Sequence, residues 1–551
     1  MLLTFSGCRQ SGNAPGQEAI NAIKLKKGDI VLCGPADKQF GTVRFQNSCG
    51  EKVKDDFDLA IALLHSFEYD EAEKVFAKII DEEPGCPMAY WGVAMSNFHQ
   101  VWPSPPTPEE IEKGGKAILI AQSLVQESGR EKDYIDAMAL FYKDWRLPDH
   151  CTRSRSFAEA MGSVYEKYPD DREAGIFYAL SLDGSANPSD KSYVNQRKAG
   201  KILEALYPDE PGHPGVVHYI IHSYDYPELA SLALPAARKY ASIAPASAHA
   251  QHMPSHVFTR LGLWDECIQS NLVSIDAAKC YAEGAGINGH WDEELHGMDY
   301  LVYAYLQTGQ NKLAKQQYDY LESIKDVYPV NFKVAYAFAA IPSRYLLENK
   351  MWTEAAGLQI HPSDFPWQDF PWQEAIFHYA RLLGSVHMGS TDKARTELQV
   401  LNNKREALIR LKDDYKANQV MIQVKTGEAW ILYKEGKKEA GLALMEQAAK
   451  LEDMTERSPV TPGEVLPANE LLADMLMSMG RPAEALEYYE AALKTHPNRF
   501  NGLYGAGLAC EKSGNPGSAK LFYGQLISQS DSSDFERLEL EKARQFIREK
   551  H

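Results

Sequence analysis

No apolar run in the 551 residues approaches the roughly 18 needed to cross a bilayer as a helix. Cations are in deficit. The chain has 58 Lys and Arg against 76 Asp and Glu, giving a net charge of −18. That balance excludes a nucleic-acid backbone as partner, because phosphate binding needs clustered Lys and Arg. Cysteine is sparse, eight in all, with no CxxC pair. There is no phosphate-cradling glycine loop, no GxSxG elbow and no HExxH pair, so the common local signatures of nucleotide, serine-nucleophile and zinc-protease chemistry are missing. What is left suits a folded acidic protein, 44% hydrophobic and 24% charged.

What is present is a period. MSMGRPAEALEYYEAAL and CEKSGNPGSAKLFYGQLI carry Gly480 and Gly514, 34 residues apart. Pro482 and Pro516 follow each glycine by two residues, Ala485 and Ala519 by five, and Tyr489 and Tyr523 by nine. Pro497 closes the first unit. The grammar recurs upstream in FEYDEAEKVFAKIIDEEP (67–84), around Gly262, Gly309 and Gly389, and at Gly436. This resembles the tetratricopeptide repeat, in which small residues stand where two helices touch, aromatics fill between them and proline marks the turn. The likeness is strong at 467–530 and looser over the rest of 51–530.

The resemblance implies an all-α superhelix of stacked hairpins with a concave groove, since no hairpin can bury its apolar face alone. The expected organisation is a tether over 1–20, a short strand element over 21–50, a degenerate array over 51–450, a regular repeat pair over 451–530 and a terminal helix over 531–551. The strand element rests on the β-branched residues and glycines of 23–45. Cys49 and Cys86 bracket one hairpin and could staple its ends. FPWQDFPW (365–372) reads as an insertion packed on the array or as a lid.

Histidine is the second anomaly. Eight of the sixteen lie between 213 and 296, where an even spread would place about two. In SAHAQHMPSHVFTRLG, His249, His252 and His256 are spaced to share one face of one helix. The repeat register implies that residues thirteen, ten, six, three and two before the marker glycine face the groove. From Gly262 these places include His249, His252, His256 and Arg260. From Gly309 they include His296, Asp299 and Tyr303. Asp225 holds the glycine slot of the preceding unit, which puts Tyr219 and His222 in the groove, with His218 a turn earlier and His213 ahead of the helix. His65 and His387 fall two before their markers, Phe67 and Gly389. A looser alignment turns Trp91 and His99 inward. HPGVVHYIIHSYD, HAQHMPSHVFTRLGLW and AYWGVAMS together are similar to a bacterial subfamily of His-rich tetratricopeptide proteins, a likeness that supplies architecture and no chemistry.

Three readings follow for the cluster. The first is a transition-metal site with His218, His222, His249, His252, His256 and His296 as ligands and Asp299 as a carboxylate. Such a nitrogen-rich set suits zinc, copper, iron or nickel, with catalysis as an extension. The second is a groove for a peptide, protein or small molecule, lined by His65, Trp91, His99, His213, Tyr219, Arg260, Tyr303 and His387. The third is a set of packed histidines satisfied by neighbours.

The start, MLLTFSGCRQ, resembles the end of a bacterial lipoprotein signal, with small residues just before Cys8. It implies lipid on Cys8 and a cell-envelope location, periplasmic or on the outer membrane, against a cytoplasmic alternative. A lipid anchor is then the only expected contact with a membrane.

Overall fold

A computed structural model describes residues 14–34, 39–99, 105–125, 127–147, 149–187, 190–456, 458–534 and 537–549. The Cys8 expectation lies outside them. The chain divides into two compact units, one of residues up to Tyr224 with Pro235–Ala250, the other of Asp225–Leu234 with Gln251 onward. Both are all-α, built from antiparallel hairpins. No described helix is long and apolar enough to cross a membrane.

In the first unit the pairs are Lys54–His65 with Tyr69–Glu82, Pro87–Ser96 with Pro108–Leu124, Arg130–Tyr142 with His150–Lys167, and Arg172–Gly184 with Val194–Leu206; Pro214–Tyr224 follows. Local chemistry sets the ends. Thr107 and Glu110 form a reciprocal capping box, with Pro108 at the first helical position. Asp149 accepts from the Thr152 amide to open the next hairpin's second helix. Tyr69–Glu82 buries Ala72, Val75, Phe76, Ile79 and Ile80 at helical spacing. Phe76 packs flat on the neighbouring helix at Gly92, where a methyl group would meet its ring at 2.3 Å. The repeat's alternation of small and aromatic residues is this contact. Cys49 and Cys86 are joined by a disulfide with Cα atoms 5.1 Å apart, as their bracketing of the first hairpin anticipated.

The strand element expected over 21–50 does not form among the described residues. Gln17–Ile23 is helical, and the other described residues of this stretch form neither helix nor strand. Its amides find helix side chains in place of a second strand. Lys26 N donates to Glu73 (2.7 Å), Val31 N to Glu71 (2.9 Å) and Phe45 N to Asp58 (2.8 Å). Buried amides need an acceptor of some kind, and β-branched composition does not say which.

The second unit runs from Pro254–Leu261 and Trp264–Gly284 to Phe500–Lys512, Pro516–Gln529 and a last helix, Leu538–Glu549. Its one strand pair is a two-residue parallel contact, His290–Trp291 with Val327–Tyr328. Six of its hairpins turn through a glycine in the left-handed region: Gly262, Gly309, Gly389, Gly436, Gly480 and Gly514, with φ between 66° and 85°. Lys350 and Lys412 make the same turn without glycine, and so does Phe67 in the first unit (φ 60°). FPWQDFPW is packed: Phe365, Trp367 and Trp372 are buried, and Trp367 Nε1 donates to Pro362 O at 2.8 Å.

Candidate metal centres

The face shared by His249, His252 and His256 is not on one helix. Ala248–His252 ends and Pro254–Leu261 begins, with Pro254 at the first turn of the new helix. A proline cannot donate to the preceding turn, so the break falls where the sequence places it. The imidazoles sort into two triads, with His249 and His252 of the same short helix in different ones.

In the first unit His218 and His222, four apart on Pro214–Tyr224, meet His249. His218 Nε2 lies 3.0 Å from His222 Nε2 and 3.1 Å from His249 Nε2. His218 Nδ1 is 2.6 Å from the carbonyl oxygen of His65. A carbonyl only accepts, so the proton is on Nδ1 and the Nε2 lone pair is bare. Burial, and then the neighbouring imidazoles, hold His218 well below the usual histidine range, so it stays neutral. Tyr240 stacks on it at 4.9 Å. Phe67 covers all three rings, with centroids 4.4, 5.5 and 5.4 Å from His218, His222 and His249. A bulky residue in the left-handed region is an outlier. This one occupies the slot where six other turns use glycine.

In the second unit His252, His256 and His296 converge, and all are buried. His252 Nε2 and His256 Nε2 are 3.0 Å apart. His252 Nδ1 donates to Asn271 Oδ1 (2.7 Å), whose amide nitrogen is turned the other way by Cys267 O. His256 Nδ1 donates to Asp225 Oδ2 (2.8 Å), and the other oxygen of that carboxylate accepts from Arg260 Nε (3.0 Å). With neutral rings these bonds leave both Nε2 atoms as lone pairs facing each other. Burial, then His252, holds His296 well below its ordinary range. Tyr300 stacks on His256 and meets the other two rings edge-on. Its buried hydroxyl has no hydrogen-bond partner.

These donor sets fit a metal ion. Two imidazole nitrogens 3.0 Å apart, each ring's Nδ1 proton committed elsewhere, need a cation between them, a metal ion or a shared proton. Nitrogens bound to one ion at about 2.0–2.1 Å stand about 2.9–3.4 Å apart in tetrahedral or square arrangements. A carboxylate, an amide oxygen and a backbone carbonyl behind the rings are the partners that fix ligand tautomers at metal sites.

A third group, His65, Glu173 and His213, is different in kind. Glu173 accepts from His65 Nε2 (3.0 Å) and His213 Nε2 (2.9 Å), and His65 Nδ1 meets the Tyr219 hydroxyl at 2.9 Å. Burial alone would raise Glu173, but His213 and His65 outweigh it and hold the carboxyl well below the usual range. Two imidazole nitrogens point at an anion here, and His213 Nδ1 is the one ring nitrogen of the group without a hydrogen-bond partner among the described residues.

The other expected residues are placed as follows. Asp299 is not brought to the triad of His296. It pairs with Arg344, which also donates to Gly463 O at 3.2 Å. A buried carboxylate takes the nearest countercharge, and Arg344 on the neighbouring helix supplies it. Tyr303 accepts from Arg499 (3.0 Å) and is buried. Arg260 is spent on Asp225. Trp91 is core, against Phe45 and Phe177. His99 meets Ser96 O (3.0 Å) and stacks on Tyr69. His387 is sandwiched by Trp352 and Trp430. The expected groove lining is thus interior. Most of its polar atoms already have partners, as buried polar groups need them, while Trp91 Nε1, His213 Nδ1 and His387 Nε2 have no hydrogen-bond partner among the described residues. Phe67 and Asp225 carried a usable signal, a non-glycine at the marker slot. Asn271, Glu173, Tyr240 and Tyr300 carried none.

Residues 471–530 match the tetratricopeptide-repeat family model. No curated protein matches the sequence. Among solved structures, the tetratricopeptide domain of P58(IPK) aligns at 17% identity over 69% of this chain and 99% of that one, with a TM-score of 0.21. Human IFIT1 with PPP-AAAA aligns at 9% over 85% and 95%, TM-score 0.33, and Naa15/Naa10 bound to HypK-THB at 10% over 90% and 96%, TM-score 0.24. Residues 471–530 thus carry tetratricopeptide repeats, and helical hairpins recur through the rest of the chain.

Proposed function

We propose that the protein binds transition-metal ions through two separate histidine triads, His218–His222–His249 and His252–His256–His296. The observation that carries this reading is the opposed Nε2 pair of His252 and His256, with both Nδ1 protons fixed by acceptors. Nitrogen-only donors of this kind suit zinc, copper, iron or nickel. A metal there would supply Lewis acidity or, for copper and iron, electron transfer. Burial holds His218 and His296 neutral, and the chain's own residues aim the imidazoles and cover them with Tyr240, Phe67 and Tyr300. The Cys49–Cys86 disulfide supports an oxidising compartment, which agrees with a cell-envelope protein anchored through Cys8.

Elemental analysis of protein purified without chelator tests the reading. The expected content is two equivalents, one lost in His252→Ala/His256→Ala and one in His218→Ala/His222→Ala. Metal-free protein that also takes up none of these ions would overturn it.

A second reading is favoured by the match at 471–530, the most regular repeats of the chain. Those repeats serve as a scaffold for a peptide or protein partner, independent of metal. Partner binding that survives loss of both triads and fails on substitution within 471–530 would establish it.

A further inference from the structure

Glu173 is the one carboxylate among the three histidine groups. It stands in the first turn of Arg172–Gly184, His65 ends Lys54–His65, and His213 directly precedes Pro214–Tyr224. Three separate elements thus deliver two imidazoles and a carboxylate to one point, with a donor atom of each within 4.8 Å of the others. All three side chains are buried. No Lys or Arg pairs with Glu173 among the described residues, and Arg130 is held by Asp171. A buried carboxylate needs a countercharge. Imidazoles supply one only when protonated, whereas a divalent ion supplies it with both rings neutral.

The carboxylate presents a different oxygen to each ring, Oε2 to His65 Nε2 at 3.0 Å and Oε1 to His213 Nε2 at 2.9 Å. These are also the separations of neighbouring ligands on one ion, whose bonds to nitrogen and oxygen run about 2.0–2.2 Å. Behind His65, the Tyr219 hydroxyl meets Nδ1 at 2.9 Å and can accept as well as donate. Phe177 packs on the His65 ring at 4.8 Å, and Gly215 leaves room for it, since a Cβ there would meet Nδ1 at 2.6 Å. Glu173 and His213 are among the residues lining a cavity of about 880 Å³ on the first unit, the entry path that a buried centre needs.

We propose that His65, Glu173 and His213 form a third metal centre, for a divalent ion of the class of zinc or ferrous iron. Two imidazoles with one carboxylate is a donor set these ions take, and it differs from the all-nitrogen triads. Binding moves protons. Each neutral ring passes its Nε2 proton to Nδ1, where Tyr219 accepts from His65, and a charged ring releases one proton to solvent. The ion must displace hydrogen bonds that Glu173 already accepts. This centre is therefore the weakest of the three and fills on addition of metal, not during purification. It does not depend on the triads.

The test is a zinc titration of the full chain after chelator treatment, with bound metal counted at each step of equilibrium dialysis. His65 is left unchanged, because its carbonyl also holds His218 Nδ1 of the first-unit triad. The variants are Glu173→Gln and His213→Gln, each checked by its melting curve. Each should take up one equivalent fewer than the intact chain, and the missing equivalent should be the last and weakest. With cobalt(II) in place of zinc, that last equivalent should shift and broaden the ring signals of His213 in the intact chain, assigned through their loss in His213→Gln. The same loss is expected whether or not the triads take metal, so failure of that reading is scored separately. Metal uptake unchanged in either folded variant, with only a lower melting temperature, means that Glu173 is a hydrogen-bond acceptor and overturns the proposal. A His213 signal that cobalt leaves unmoved overturns it too.

Discussion

The two triads use the same three imidazoles and one stacked tyrosine, yet they are held in different ways. The triad of His252, His256 and His296 is oriented by side chains: Asn271 behind one ring, the Asp225 carboxylate behind another, with Arg260 balancing that charge. All its members are buried. The triad of His218, His222 and His249 is oriented by a backbone carbonyl, has a half-buried member in His222, and is covered by Phe67. Either acceptor fixes the tautomer of an imidazole and raises its basicity, and a charged carboxylate does so more strongly than a carbonyl. If the triads hold metal as proposed, the same ligand count should give a tight, closed centre in one unit and a weaker, exchangeable one in the other.

Removing one pair of ligands at a time probes this contrast most strongly. His252→Ala/His256→Ala should lose the slowly released metal equivalent, and His218→Ala/His222→Ala the quickly released one, as read by chelator competition. In excess metal, the intact protein should gain about 4 kcal/mol of stability from an ion present at a thousand times its dissociation constant. Most of that gain should vanish with the first variant. Loss of the same kinetic class from both variants breaks the comparison.

Asp225→Asn comes next. It keeps the shape but leaves Arg260 buried without its anion, a loss of about 3–5 kcal/mol in thermal or urea unfolding. It should also weaken metal binding at the second-unit triad by about 10–100-fold, with the first-unit triad unchanged. Equal weakening at both would show that the carboxylate acts through general stability and not through His256.

Phe67→Gly tests the cover. Glycine suits the left-handed turn, relieving about 1 kcal/mol of backbone cost, which offsets only part of the lost ring packing. Release from the first-unit triad to a chelator should quicken about tenfold or more, and release from the other should not change. An unchanged rate means that Phe67 fills space and controls nothing.

How much of this was legible depends on the range over which each signal acts. Hairpins were readable because glycine, alanine and tyrosine at fixed offsets are local consequences of one helix packing on the next. Convergence of the imidazoles was readable from register, since offsets of three and four fix a face. Their partition into two sets was not read: His249 and His252 share the short helix ahead of Pro254 and still go to different triads. Asp299 shared the face of His296, but Arg344, 45 residues on, captured it. Nor does spacing reveal that Glu173 would meet His65 across 108 residues, or that glutamates would take the amides expected to pair as strands. Periodicity specifies which way a side chain points and leaves open which distant partner answers it.

The smallest effect concerns a histidine outside both triads. His387 lies between Trp352 (4.0 Å, nearly parallel) and Trp430 (4.6 Å), and its Nε2 has no hydrogen-bond partner. Burial first, then Lys434 and Lys350, pushes it down to about 3. Unfolding restores a value near 6.5, so between these limits the unfolded chain binds the extra proton. Its contribution to stability is present above pH 6.5 and is lost as pH falls toward 3. Between pH 7.5 and pH 5 the loss should be about 1–2 kcal/mol, discounting the maximum for partial exposure. His387→Phe should keep the aromatic stack and flatten that part of the pH dependence of the melting temperature. A packed imidazole without imidazole neighbours should therefore show acid sensitivity that metal does not alter, whereas acid sensitivity traced to the triads should shift when metal is added. If adding metal also shifts the part lost in His387→Phe, the distinction between packed and ligating histidines fails at this position.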